Sequence, residues 1–228
     1  MALGLWVATV AGSICASIAT ALFATIAIGV VIYYILQKNR QQQQSWHQAA
    51  KTLGLQHRFE KTLFGQHVTP MTGSYQGFEV RITTFTRGSG EQSTTHTSVE
   101  MMCPAELDLG LHIKPENIID NVRKAFGTQD IHIGDQRFDD AFIIKGNDPA
   151  EVVGLLTPPV RQKLLALNNQ SDLTRLTDQG LYQEWGGMIT DPHRLAGHLR
   201  QQLLFMALLE QAHSAQVMAH AEIDAKVW

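Results

Sequence analysis

Residues 78–102 read FEVRITTFTRGSGEQSTTHTSVEMM, and this stretch decides the fold class. With Tyr75 just ahead of it, Phe78, Val80, Ile82 and Phe85 sit in a run rich in β-formers, and Thr94 to Met102 is a second such run. Between them Arg87-Gly88-Ser89-Gly90 has turn chemistry, because glycine reaches backbone angles closed to other residues. The pattern predicts a β-hairpin. Downstream, Leu107, Leu109, Leu111 and Ile113 alternate with Asp108, Gly110 and His112. A period of two is that of a strand with one buried face, which predicts a third strand in an antiparallel sheet.

Further along, helices join the strands. Pro115 is placed to open a helix through Phe126, with Gly127 to end it, and Ile131 and Ile133 before Gly134-Asp135 predict a short strand and turn. Phe138, Phe142 and Ile144 predict the next strand. Asp148-Pro149-Ala150-Glu151 supplies an N-cap, a first-turn proline and an N3 glutamate, and Thr157-Pro158 starts a second helix whose apolar positions run from Val160 to Leu167. Leu173 and Leu176, then Leu181, Tyr182 and Trp185, flank Asp178-Gln179-Gly180 as a hairpin. Asp191-Pro192 caps a final helix in which Leu203 to Leu209 is apolar on all sides and is expected to be covered. The class is α+β.

Upstream, the chain changes character. From Ala2 to Leu36 there is no Asp, Glu, Lys, Arg or His. A bilayer core needs about 20 helical residues, so this run predicts a transmembrane helix, with Tyr33 and Tyr34 at one interface. A secretory signal peptide is the competing reading. It lacks a positive n-region here, and the apolar run exceeds the roughly 7–15 residues of an h-region. Lys38, Arg40, Lys51, Arg58 and Lys61 follow the run and no cationic side chain precedes it. Since Lys and Arg beside a span stay on the cytoplasmic side, the N-terminus is expected outside and the domain in the cytoplasm. Residues 37–54 read as a helical continuation stopped by Gly54, or as a glutamine-rich linker; 55–212 as the α+β domain; 213–228 as a polar helical tail. Along the span run two adjacent rows of small residues that include Gly12, Ala16, Thr20 and Ala24, and Ser13, Ser17, Ala21 and Thr25. Such rows let helix backbones approach in lipid, so a helix partner in the membrane, self or heteromeric, is expected.

The stretch Arg137-Phe138-Asp139-Asp140-Ala141-Phe142-Ile143-Ile144-Lys145-Gly146, followed by Leu155-Leu156-Thr157 and Val160-Arg161, resembles a segment of uncharacterised bacterial single-pass membrane-anchored proteins. Their pattern is FD-x-x-F followed by a helix of pattern LT-x-x-x-R-x-x-L. With Gly73-Ser74-Tyr75-Gln76-Gly77 as a strand start, the resemblance spans residues 46 to 210. It implies a bacterial origin and a stable domain, and it brings no activity. Read from the residues alone, the segment is a strand with two core phenylalanines and a turn-stabilising aspartate.

The composition narrows the chemistry. A net charge of −3 gives no basic field for nucleic acid. Cys15 and Cys103 cannot pair if the first lies in a bilayer. Neither CxxC pairs, HExxH, GxGxxG, a Walker loop nor GxSxG occurs, so no cofactor is implied. Cys103 before Pro104, with His96 and His112 on neighbouring strands, would make a nucleophile pair only within hydrogen-bond reach and with a lowered thiol pKa. Glu210, His213, His220 and Asp224 share one helical stripe and are the metal candidates. His213 and His220 are about 10 Å apart along a helix, so one helix alone cannot close such a site. The polar segment with Arg81, Arg87, Glu91 and Ser93 to Thr97 is a hairpin tip, a turn or a ligand loop. The sequence therefore points to a non-enzymatic membrane-tethered interaction protein; a membrane-anchored enzyme or small-ligand-binding domain is the alternative, to be favoured by a concave pocket with convergent titratable side chains.

Overall fold

The computed structural model describes the backbone of residues 2–57, 59–62, 65–116 and 130–227, and their side chains apart from residues 2–21, 39, 59–62, 65–68, 91, 220 and 223–227. The fold is α+β: one apolar N-terminal helix, a seven-stranded antiparallel sheet and a long C-terminal helix. The chain divides into two compact units, residues 1–46 and 47–228.

Helix α1 (Ala2–Leu53) makes up the first unit and ends in the second. All side chains from Leu22 to Leu36 are exposed, Phe23 at 81% and Tyr33 and Tyr34 at 68%. The glutamine-rich stretch 37–44 continues the helix. Gly54 stops it, as its sequence position predicts: at φ +70° its N–H bonds to the Lys51 carbonyl while Leu55 N–H bonds to that of Ala50. That pair of bonds satisfies two carbonyls the helix end would leave open, and only glycine takes the left-handed angle cheaply. Ala49, Ala50 and Leu55 beside it are buried.

Two short strands, β1 (Phe59–Thr62) and β2 (Gly65–Val68), form a separate antiparallel pair. The main sheet comprises β3 (Met71–Tyr75), β4 (Phe78–Arg87), β5 (Thr94–Met102), β6 (His112–Pro115), β7 (Phe142–Lys145), β8 (Leu173–Thr177) and β9 (Gly180–Gly186), in the order β3-β4-β5-β9-β8-β6-β7. Register places Val80, Met101, Leu181, Leu176, Ile113 and Ile144 in one row across six strands, and none of them is more than 2% exposed. That row is the floor of the core. Over it lie α3 (Pro149–Leu155), α4 (Pro158–Asn168) and α5 (Pro192–Val227), with α5 against β5 and β9. The neighbouring row Ile82, Val99, Gln183, Thr174 carries polar groups into the core, where each is paired: Gln183 Nε2 donates to the Leu167 carbonyl and Thr174 Oγ1, and Gln202 Nε2 of α5 donates to Gln183 Oε1 and the Val99 carbonyl. Unpaired, such amide donors would cost about 1–3 kcal/mol each; paired, the two Nε2 groups fix where α5 sits on the sheet.

The caps read from sequence form. Asp148 accepts from Ala150 N and Glu151 N, and Asp191 from His193 N. Thr157 precedes α4 without a side-chain cap bond. Five expectations are corrected. Leu107, Leu109 and Leu111 are buried as their alternation predicts, yet only His112–Pro115 is a strand. Asp108 (φ 55°) and Gly110 (φ 60°) turn the chain out of extended geometry, and the Leu109 and Leu111 amides donate to Asp178 Oδ1 instead of to a neighbouring strand. Phe138 lies in α2 (Gln136–Asp139), a single turn capped by Asp135, not in a strand; its ring packs tilted, at 5.0 Å between centroids, against that of Phe142, which opens β7. Ile131 and Ile133 form no strand, although Ile131 N bonds to the Ile144 carbonyl, and Asp139 holds the turn through Ile133 N and Gly134 N. Leu203 to Leu209 is covered on one side only, with Phe205, Met206 and Leu209 buried and Leu204 51% exposed. Pro115, read as opening a helix, closes β6, and the rest of that expected helix lies outside the described residues.

Candidate functional site

The strand register that buries one sheet face puts the chemistry on the other. There Arg81, Glu100, Tyr182 and Arg175 lie side by side on β4, β5, β9 and β8, with Thr83, Ser98, Glu184 and Leu173 in the adjoining row. Glu184 is fully buried even though this face carries no helix from α3, α4 or α5. Arg87 explains it: Nη1 is 3.0 Å from Oε1 and Nη2 donates to Oε2 at 3.0 Å, a two-pronged contact, while the guanidinium also lies over the Phe85 ring. His96 Nδ1 is 3.0 Å from the same Oε1, and Tyr182 Oη donates to Oε2 at 3.3 Å. Burial, then the Glu184 charge, raises the Tyr182 pKa, so this phenol stays protonated as a donor. The cluster is an ion-pair network that joins β4, β5 and β9 beside the predicted hairpin tip. Both carboxylate oxygens face partners within the chain, Oε2 through hydrogen bonds and Oε1 through ion-pair contacts, which suits a structural clamp.

Farther along the same face, where β6, β7 and β8 meet the irregular segment before β6, lies a cavity of about 440 Å³. Leu111 and Ile143 line it together with His112, Lys114, Lys145 and Asp178. His112 is paired with Lys145 across β6 and β7, and Lys114 with Ile143, so three nitrogen-bearing side chains project from adjacent strand positions. Lys114 is only 8% exposed. Asp178 is committed to holding the wall, since its Oδ1 accepts from two backbone amides. Gly110 closes that wall against Asn147, whose amide a side chain at position 110 would strike. The volume falls within the roughly 300–1,000 Å³ of small-molecule pockets.

The sequence candidates fare differently. Cys103 meets neither His96 nor His112: among its surroundings are the Asp178 and Glu210 carboxylates, and burial first, those charges second, push its thiol up to about 11. A thiol held neutral is a poor nucleophile. Among the described residues no group of three metal-type side chains converges; Glu210 is exposed, His213 half-buried, and the side chains of His220 and Asp224 lie outside the described residues. In the span, the side chains of Gly12, Ser13, Ala16, Ser17, Thr20 and Ala21 also lie outside them. Ala24 and Thr25 are exposed, Thr25 Oγ1 donating to the Leu22 carbonyl at 2.9 Å. Of the three nitrogen-bearing side chains in the cleft, the sequence singles out only His112 as a candidate for chemistry, and β6–β7 pairing is what joins it to Lys114 and Lys145.

An α+β domain behind a long apolar helix is the class that fold and cleft define. No family model matches the chain, and no curated protein matches it. Among solved structures, the crystal structure of the mycobacterial trehalose monomycolate transport factor A, TtfA, is similar at TM-score 0.48 and 11% identity, over 75% of this chain and 95% of that one. Likeness of that degree assigns neither activity nor partner.

Proposed function

We propose that the protein is a non-enzymatic, membrane-tethered interaction protein of a bacterial inner membrane, its N-terminus outside and its α+β domain in the cytoplasm. The observation that carries this is the exposed apolar surface of α1. Helix α1 is long and apolar enough to cross a membrane, and from Leu22 to Leu36 it shows water no charge and no buried face. At about 25 cal/mol per Å², an uncovered surface of that length is stable only in lipid or against other apolar helices. The experiment is extraction: the full chain stays in the membrane pellet through alkaline carbonate, and a chain lacking residues 2–36 leaves it. Release of the full chain by carbonate overturns the reading.

The partner face of the span is the pair of small-residue rows, Gly12, Ala16, Thr20 and Ala24 beside Ser13, Ser17, Ala21 and Thr25. Thr25 bonds its hydroxyl to its own helix, and at Gly29, one step of four further along the Ser13 row, nothing within 4 Å would meet a side chain, so the described end of this face is open. Replacing Gly12, Ala16, Ser17 and Ala21 by isoleucine should shrink the complex seen in mild detergent, whereas Ile18→Ala and Leu22→Ala should not. Equal effects of both sets reduce the helix to a tether.

A further inference from the structure

We propose that the β6–β7–β8 cleft binds a small molecule with one acidic group, carboxylate or phosphate, on an apolar body. Burial of charge argues for it. Among the described residues, six ionisable groups face the cavity: His112, Lys114 and Lys145 on the strands, and Glu106, Asp130 and Asp178 around it. The two lysines lie deeper than two of the acids, whereas His112 is exposed at the rim. Lys114 is buried and Lys145 half-buried, whereas Glu106 and Asp130 are exposed, where solvent screens them, and Asp178 is bound to backbone amides. An anion entering the cleft therefore meets positive charge that water has left, and charge-assisted bonds are strongest there. His112, Lys114 and Lys145 each also interact within the chain, so the ligand's acid joins an existing network rather than filling a gap.

The apolar half of the specificity comes from the same register. Leu111 and Ile143 border the lysines, and the lysine stems add methylene surface. Gly110 and Gly146 keep that wall free of side chains: one at Gly146 would strike Val152 and the Leu109 carbonyl. A bare anion would leave this surface wet, and a neutral alcohol would bring no charge to the lysine end of the cleft.

Titration calorimetry on the full chain in lipid nanodiscs, with empty nanodiscs subtracted, tests both halves. Octanoate and octyl phosphate are expected to bind with a Kd of about 1 mM or tighter, and octanol and inorganic phosphate roughly tenfold more weakly. Lys145→Gln, on a half-exposed residue, should weaken both acids roughly fivefold and leave octanol unchanged. Ile143→Trp should fill the cleft and abolish binding, with the thermal transition retained in both variants. Octanol binding as well as octanoate overturns the anionic half; inorganic phosphate matching octyl phosphate overturns the apolar half. Unchanged affinity in both variants places any binding outside the cleft and sinks the proposal. None of these outcomes bears on the membrane tether, which is read from extraction.

Discussion

Removing either end of the Arg87–Glu184 pair has unequal consequences, because one end is in water and the other is not. The Arg87 side chain is 58% exposed and that of Glu184 1%. Arg87→Ala strands a buried carboxylate with only His96 and Tyr182 beside it and should cost about 2–3 kcal/mol, solvent around the guanidinium trimming the roughly 3–5 kcal/mol of a fully buried pair. Glu184→Gln frees an arginine that can return to water, and should cost about 1 kcal/mol. Urea denaturation checks the order; the reverse order would mean that Glu184 is held by something other than Arg87. His198 makes a pH prediction. Its ring lies 4.0 Å from that of Trp185, and burial, then the Arg194 charge, lowers its pKa below 6.5. A folded-state pKa below the unfolded one means the unfolded chain binds the extra proton, so the stability it contributes is intact above pH 6.5 and is lost as pH falls through the lowered value. The drop in melting temperature between pH 7 and pH 5 should be shallower in His198→Phe than in the natural chain; equal slopes would show that this ring does not titrate with folding.

At the scale of elements, α5 carries the clearest test. Its buried residues end at Leu209, yet Gln216 Nε2 donates to the Glu151 carbonyl at the surface of α3. A chain ending after residue 217 should keep its stability, and one ending after residue 212 should lose about 1 kcal/mol, the worth of one hydrogen bond with its packing. Equal melting temperatures for the two chains would make the Gln216 bond energetically silent. What the sequence revealed of these elements follows from how local each signal is. Gly54, Asp148 and Asp191 bond within a few residues, and the β4–β5 and β8–β9 hairpins close over short turns, so spacing suffices to find them. The alternation through Leu107 and Leu111 reports burial of every second side chain and is silent on where the amides bond; here they reach Asp178, 67 and more residues away. Phe138 is as apolar in one helical turn as in a strand, and the Asp135 that caps that turn read as an ordinary turn residue. Arg161, part of the LT-x-x-x-R pattern, ties α4 back to that cap through Asp135 Oδ2 and to the Leu156 carbonyl. Glu184 with Arg87, and Lys114 with Lys145, meet only through register across the sheet, which a single sequence does not contain.

For the whole molecule the decisive quantity is charge on either side of the apolar helix. The side-chain cations nearest the run are Lys38 and Arg40, followed by Lys51, Arg58 and Lys61, and none lies before it. Lys38 and Arg40 stand on the helix itself, among exposed polar residues, where they can remain hydrated beside anionic headgroups. Carrying them across the bilayer opposes the membrane potential by about 2.3 kcal/mol per charge at 100 mV, which favours keeping this flank on the cytoplasmic side. The expected orientation is N-terminus outside and domain in the cytoplasm, where an unpaired Cys103 stays reduced. A reporter fused after Trp228 should accordingly be active as a cytoplasmic fusion and silent as a periplasmic one. Replacing Lys38 and Arg40 by glutamine while placing two lysines after Met1 should shift a share of the molecules to the opposite orientation. Periplasmic activity of the unmodified fusion would refute the orientation while leaving the tether intact, and a mature chain beginning beyond residue 20 would refute the tether itself, since the helix would then be a removed leader.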